Sequence, residues 1–218
     1  MDIALSINML YYMRMARPRR IQFEGAFYHV FNRGVEKRPI VIDEKDRRTF
    51  LTFLGNAVPE FKLRLFTYCL MENHYHLFLQ TQRANLQEAM KSIQSHYAQY
   101  VNFRYERVGP LFQGRYNRRL VDAEHYALAL ARYIHRNPLE AGLVQRLEEY
   151  AWSSYPSYSG KLPTWSWLDT AWLLGQFGPD TVQARQRFIQ FHDQTPTHAE
   201  LSVLAHTADL TRVRPLRV

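Results

Sequence analysis

Between Lys62 and Thr81 the chain reads KLRLFTYCLMENHYHLFLQT, two apolar, β-prone runs separated only by Glu72 and Asn73. So short a turn predicts neighbouring strands, Lys62 to Met71 and His74 to Thr81, and around them the other elements must be arranged. AFYHVF, from Ala26 to Phe31, is a further strand candidate, bounded by Gly25 and by Asn32-Arg33-Gly34. Asp43 is placed to cap a helix through EKDRRTFLTFLGNAVPEF, where Phe50, Phe53, Leu54 and Val58 recur at helical spacing. A second helix is expected from Leu86 to Arg104 with Asn85 as its cap, and Gly109-Pro110 breaks the chain after it. Leu111 to Val121 reads as a fourth strand, and Asp122 as the cap of a helix that stops at Asn137-Pro138.

The order is therefore strand, helix, strand, strand, helix, strand, helix. Its simplest closure is an α+β domain, a ferredoxin-like antiparallel sheet with helices on one face. After Gly160 the composition shifts to PTWSWLDTAWLLGQFGPD and TVQARQRFIQFH, two short helical patterns. The expected organisation is a basic N-terminal arm over 1–19, the main domain over 20–160 and a helical C-terminal extension over 161–218.

Twenty-eight Lys and Arg against 20 Asp and Glu give a net charge of +8. That excess favours a polyanionic partner, nucleic acid first and an acidic membrane surface second; a merely basic soluble enzyme stays open. Cys69 is the single cysteine, which removes disulfide frameworks and cysteine-based zinc sites. MDIALSINMLYYMRMARPRR has no long apolar run after a basic start, so neither a signal peptide nor a membrane span is read there. A cytoplasmic location is the default expectation.

His74 and His76 occupy alternate strand positions and should point to one face. Side by side they can chelate a cation, or they can be one surface histidine and one hydrogen-bonded core histidine. In ALARYIHRNPLEAG, Tyr133 and Asn137 are four residues apart and share a helical face. They suit a nucleophile and a third metal ligand, or equally a core tyrosine and a helix C-cap.

MENHYHLFL, GPLFQGRYNRRLV, ARYIHRNPLEAGLV and YAWSSYPSY, in this order, resemble the REP-associated tyrosine transposases. These are single-tyrosine HUH nucleases related to insertion-sequence transposases. The resemblance runs from about Arg20 to Gly160. It implies a ferredoxin-like domain that cuts and rejoins single-stranded DNA with one tyrosine and a Mg²⁺ or Mn²⁺ ion. By position, His74 and His76 match the metal-binding histidines. Tyr133 matches the nucleophile of a Tyr-Ile-x-x-Asn-Pro pattern, and Asn137 the polar residue completing the metal site. The implied reaction forms a 5′-phosphotyrosine and a free 3′-hydroxyl, and its reversal on another 3′-hydroxyl is strand transfer. Two positions depart from many relatives: Glu72 stands in place of Pro, and Tyr75 in place of a smaller aliphatic. Glu72 and His135 are conceivable proton acceptors, although His135 should face away from Tyr133.

The expected partner is single-stranded or hairpin DNA from palindromic repeats, with no membrane and a monomer or homodimer as acting unit. Contacts are expected from Arg17, Arg19 and Arg20 on the arm, Asn32 and Arg33 after the first strand, and Arg115, Tyr116, Arg118 and Arg119 around the fourth. Two other readings stay open: an inactive nucleic-acid-binding module of the same fold, and a metal phosphoesterase using activated water.

Overall fold

The structure, a computed structural model, describes residues 22–197 and Glu200. Arg17, Arg19 and Arg20 lie outside the described residues with the rest of 1–21, as does the segment 201–218. Four strands, β1 (Phe27–Arg33), β2 (Leu63–Leu70), β3 (His74–Thr81) and β4 (Asn117–Leu120), form one sheet in the order β2-β3-β1-β4. Every pairing is antiparallel. With helices α1 (Glu44–Glu60) and α2 (Leu86–Arg104) between the strands, this is the ferredoxin-like topology that the element order implies.

Both helices pack on one sheet face. Phe50 and Leu54 of α1, and Ile93 and Tyr97 of α2, close over Tyr75, Leu77 and Leu79 of β3 in one buried core. Each such fully buried side chain contributes roughly 1.5–3 kcal/mol. Asp43 does cap α1, in a reciprocal capping box with Asp46. Arg104 of α2 reaches back to both carboxylates at 2.5 Å, tying the two helices together. Asn85 stands at the N-cap position of α2 without a side-chain cap hydrogen bond, and its amide nitrogen donates to the Phe61 carbonyl, 3.0 Å away.

The opposite face is covered by α3 (Ala123–Glu140), whose Ala127, Leu130 and Ile134 pack on Phe66, Cys69 and Phe78. This helix does not stop at Asn137-Pro138; it continues to Glu140 with Pro138 inside its last turn. The fourth strand is also shorter than expected. Phe112 makes an isolated bridge to Gly34, the chain then leaves the ladder, and regular pairing holds only over Asn117–Leu120. The Glu72 carbonyl accepts the N–H groups of Ile40 and Val41 at 2.8 and 3.1 Å, a role any residue could fill, and its side chain is exposed.

Three further helices follow: α4 (Tyr155–Ser159), α5 (Thr170–Gly175) and α6 (Thr181–Asp193). The segments leading into α4 and α5 close the outer edge of β2, where Ser153 and Leu168 bridge Cys69 and Leu65. Trp172 lies against Phe66, ring centroids 4.5 Å apart. Helix α6 docks on α3 at the edge of β2, where Ser154 also bonds the Tyr68 backbone. There His135 meets His192 at 3.0 Å and Ser154 at 2.7 Å, and the Arg136 guanidinium donates to the His192 carbonyl. His135 thus turns its back on Tyr133, as its place on the helix requires.

Candidate active site

Strand pairing decides which side chains meet on the α3 face. Phe31 lies opposite His76 and Arg33 opposite His74 across β1 and β3, while His29 lies opposite Arg119 across β1 and β4. Cross-strand partners point the same way, so His29, Phe31, Arg33, His74, His76 and Arg119 share one face. Above them passes α3. Tyr133 sets its ring edge-on to His76 at 5.6 Å and to His29 at 6.0 Å.

Asn137 is one helical turn beyond Tyr133. Pro138 has no N–H to give the Ile134 carbonyl, and the Asn137 side-chain amide points there and at the Tyr133 carbonyl, 3.4 and 2.8 Å away. With its nitrogen turned to the helix, the atom Asn137 presents to the His74 ring is its oxygen. His74 in turn has Nδ1 at 2.7 Å from the Asn73 side-chain oxygen, which can only accept. The His74 proton is therefore on Nδ1, and the Nε2 lone pair and the Asn137 oxygen are both acceptors. A proton or a metal cation between them satisfies both. That is a donor set of imidazole nitrogen and amide oxygen, compatible with a divalent cation. Among the described residues no group of three or more His, Cys, Asp and Glu side chains could hold a metal ion, so a third protein ligand would come from another donor type, such as the Asn137 oxygen.

Electrostatics keep these imidazoles neutral, the form in which they ligate. Burial lowers the His76 pKa well below its ordinary value, and His29, His74 and Arg119 push the same way. Burial likewise lowers His74; Asn137 opposes this and Arg33 adds to it. The Tyr133 hydroxyl is pushed up by burial, with Arg119 partly offsetting that.

The same alternation separates the expected DNA contacts. Arg33 and Arg119 flank the histidines, and Arg115 is exposed on the loop before β4. Arg118 lies on the other face, its guanidinium 5.6 Å from the Tyr28 ring, and does not converge on the site. Asn32 is a correction: it is 1% exposed and its amide donates to the Gly114 carbonyl, so it holds a loop and has no surface to offer DNA. Tyr116 is a second correction, since its ring is buried in the core under the sheet and cannot stack on a base. The site residue not anticipated is His29, buried with Nε2 2.9 Å from His76 Nδ1. Its parity with Phe31 and Arg33 was available in the sequence, but its partner depends on the β1–β3 register.

An antiparallel ferredoxin-like sheet carries paired histidines under a helix-borne tyrosine, flanked by arginines. The chain belongs to the IS200-like transposase family, whose family model matches residues 22–137, over half its length. Among solved structures it is similar to a REP-associated tyrosine transposase bound to a REP hairpin. That match has a TM-score of 0.56 at 12% identity and covers 67% of this chain and 87% of that one. At this identity the likeness concerns the fold. A candidate transposase from Deinococcus radiodurans overlaps more loosely, with a TM-score of 0.39 at 18% identity over 55% of this chain and 96% of that one. No curated protein matches the sequence. Among the described residues no helix is long and apolar enough to cross a membrane.

Proposed function

We propose that this transposase-family protein is a single-stranded DNA endonuclease and strand transferase acting on hairpin-forming repeat DNA through a covalent tyrosine intermediate. The observation that carries this reading is Tyr133 edge-on to His76 with Asn137, one turn on, facing His74. His74, His76 and Asn137 would hold Mn²⁺ or Mg²⁺; the mixed nitrogen and oxygen set suits Mn²⁺ better than Mg²⁺, which favours oxygen ligands. A bound divalent cation supplies the Lewis acidity that polarises a phosphate oxygen.

The chain's own groups do the rest. Arg33 and Arg119 draw the DNA phosphate onto the sheet face. Tyr133 Oη attacks phosphorus, the bond to the 3′-oxygen breaks, and the leaving 3′-oxygen takes up a proton, giving a 5′-phosphotyrosine. Because burial raises the Tyr133 pKa, Arg119 assists by opposing that rise. The same raised pKa is what favours the other reading, a metal phosphoesterase in which activated water attacks and Tyr133 only packs.

Cleavage of a hairpin-flanked single strand in Mn²⁺, with chelator and with His76→Ala, tests the proposal. Activity should vanish with either change while the fold, read by circular dichroism, persists. Cleavage that survives both would remove the metal site from the account. A salt series separates the arginines: Arg119→Ala should lower the slope of log affinity against log salt by about one phosphate contact, and Arg118→Ala should leave it unchanged.

A further inference from the structure

We propose that His29 is a positioning residue that fixes which nitrogen of His76 is free to bind a cation, an inference that rests on the metal-binding reading above. A neutral imidazole has one protonated and one lone-pair nitrogen, and only the lone pair ligates. His76 Nδ1 lies 2.9 Å from His29 Nε2, within hydrogen-bonding distance, so Nδ1 is committed to His29 and the cation must be met by Nε2. Ligation through Nε2 requires the proton on Nδ1. His29 Nε2 must then be the acceptor, and the His29 proton must sit on its own Nδ1.

The two histidines of the pair are held by unlike partners. His74 Nδ1 faces an amide oxygen, Asn73 Oδ1 at 2.7 Å, which accepts and nothing else. His76 faces a second imidazole, which can accept in one tautomer and donate in the other. If His29 donated from Nε2, the His76 proton would sit on Nε2 and close the ligand position. His29 is 4% exposed, its ring meets that of His76 edge to edge with 25° between the planes and centroids 5.1 Å apart, and Tyr133 lies against both rings. Water therefore does not stand in readily for the missing partner. Partners of this kind that orient a ligating histidine change metal affinity by roughly 10- to 100-fold when removed.

Two substitutions separate this role from packing. His29→Gln keeps an acceptor oxygen that can face His76 Nδ1; His29→Phe keeps the ring volume and removes the acceptor. The first readout is the ¹⁵N spectrum of the metal-free protein, which distinguishes the two imidazole tautomers. The second is Mn²⁺ affinity, followed by the electron paramagnetic resonance of the free ion. Wild type and His29→Gln should show His76 protonated on Nδ1 and bind Mn²⁺ alike. His29→Phe should lose that single tautomer and bind Mn²⁺ roughly 10- to 100-fold more weakly, with its metal-free melting temperature recorded alongside. Wild-type His76 protonated on Nε2, or His29→Phe indistinguishable from wild type in both readouts, overturns the assignment of His29 and leaves the metal reading standing. Wild-type protein that binds no Mn²⁺ overturns the metal reading instead.

Discussion

Tyr133→Phe should lose on the order of 10³-fold or more of the DNA-cleaving activity and all covalent capture of DNA, while binding single-stranded DNA as before. The substitution removes one oxygen from a side chain whose ring edge rests on His29 and His76, so the packing of α3 on the sheet is kept. Conservation of ring contacts is what makes the comparison clean: a loss of activity then reports the nucleophile and not a displaced helix. Full cleavage by the phenylalanine variant would assign the attack to water and reduce Tyr133 to a lid over the histidines. The natural measurement is single-turnover cleavage on a denaturing gel beside a binding isotherm for the same oligonucleotide.

Acid should destabilise the fold well before the carboxylates titrate. Burial pushes His29 down to about 3, with Arg119 adding to the effect. Burial also takes His192 to about 3, against a raising contribution from its Nδ1 contact with the Phe188 carbonyl. In the unfolded chain both return to about 6.5. Below that pH the unfolded state therefore binds protons that the folded state refuses, and stability falls as pH falls. At 1.36 kcal/mol per unit, each histidine costs roughly 2 kcal/mol between pH 7.5 and pH 5, and the two together roughly 4 kcal/mol. Asp43, held down at about 2 by its hydrogen bond from Arg104, loses its contribution only below the ordinary aspartate range and is silent in that window. Urea unfolding at pH 7.5 and pH 5 should give a midpoint that drops at the lower pH. An unchanged midpoint would mean that both imidazoles are hydrated or charged in the folded state.

What the sequence disclosed depended on how local the cause was. The parity of His74 and His76 is a property of one strand, and their shared face was legible from it. The four-residue spacing of Tyr133 and Asn137 was legible for the same reason, and Asp43 announced its cap through its own neighbours. Strand parity would also have separated Arg33 from Asn32 and Arg119 from Arg118, since adjacent residues face opposite sides. The remaining features are set by groups far apart in the chain. Leu111 to Tyr116 looks like strand, yet the Asn32 amide takes the Gly114 carbonyl and the ladder starts only at Asn117. Pro138 looks like a stop, yet the Asn137 side chain faces the carbonyl that proline leaves unserved, and the helix runs on. His29 sits in an aromatic run that reads as core, and only the register of β1 against β3 brings it to His76.

The central claim is that Tyr133 becomes covalently joined to DNA. Wild-type protein incubated with Mn²⁺ and a hairpin-flanked single strand, denatured, digested and weighed by mass spectrometry should carry a nucleotide on the peptide containing Tyr133, and none when Mn²⁺ is withheld. Cleaved DNA with that peptide unmodified, or with the nucleotide on another residue, would contradict the account.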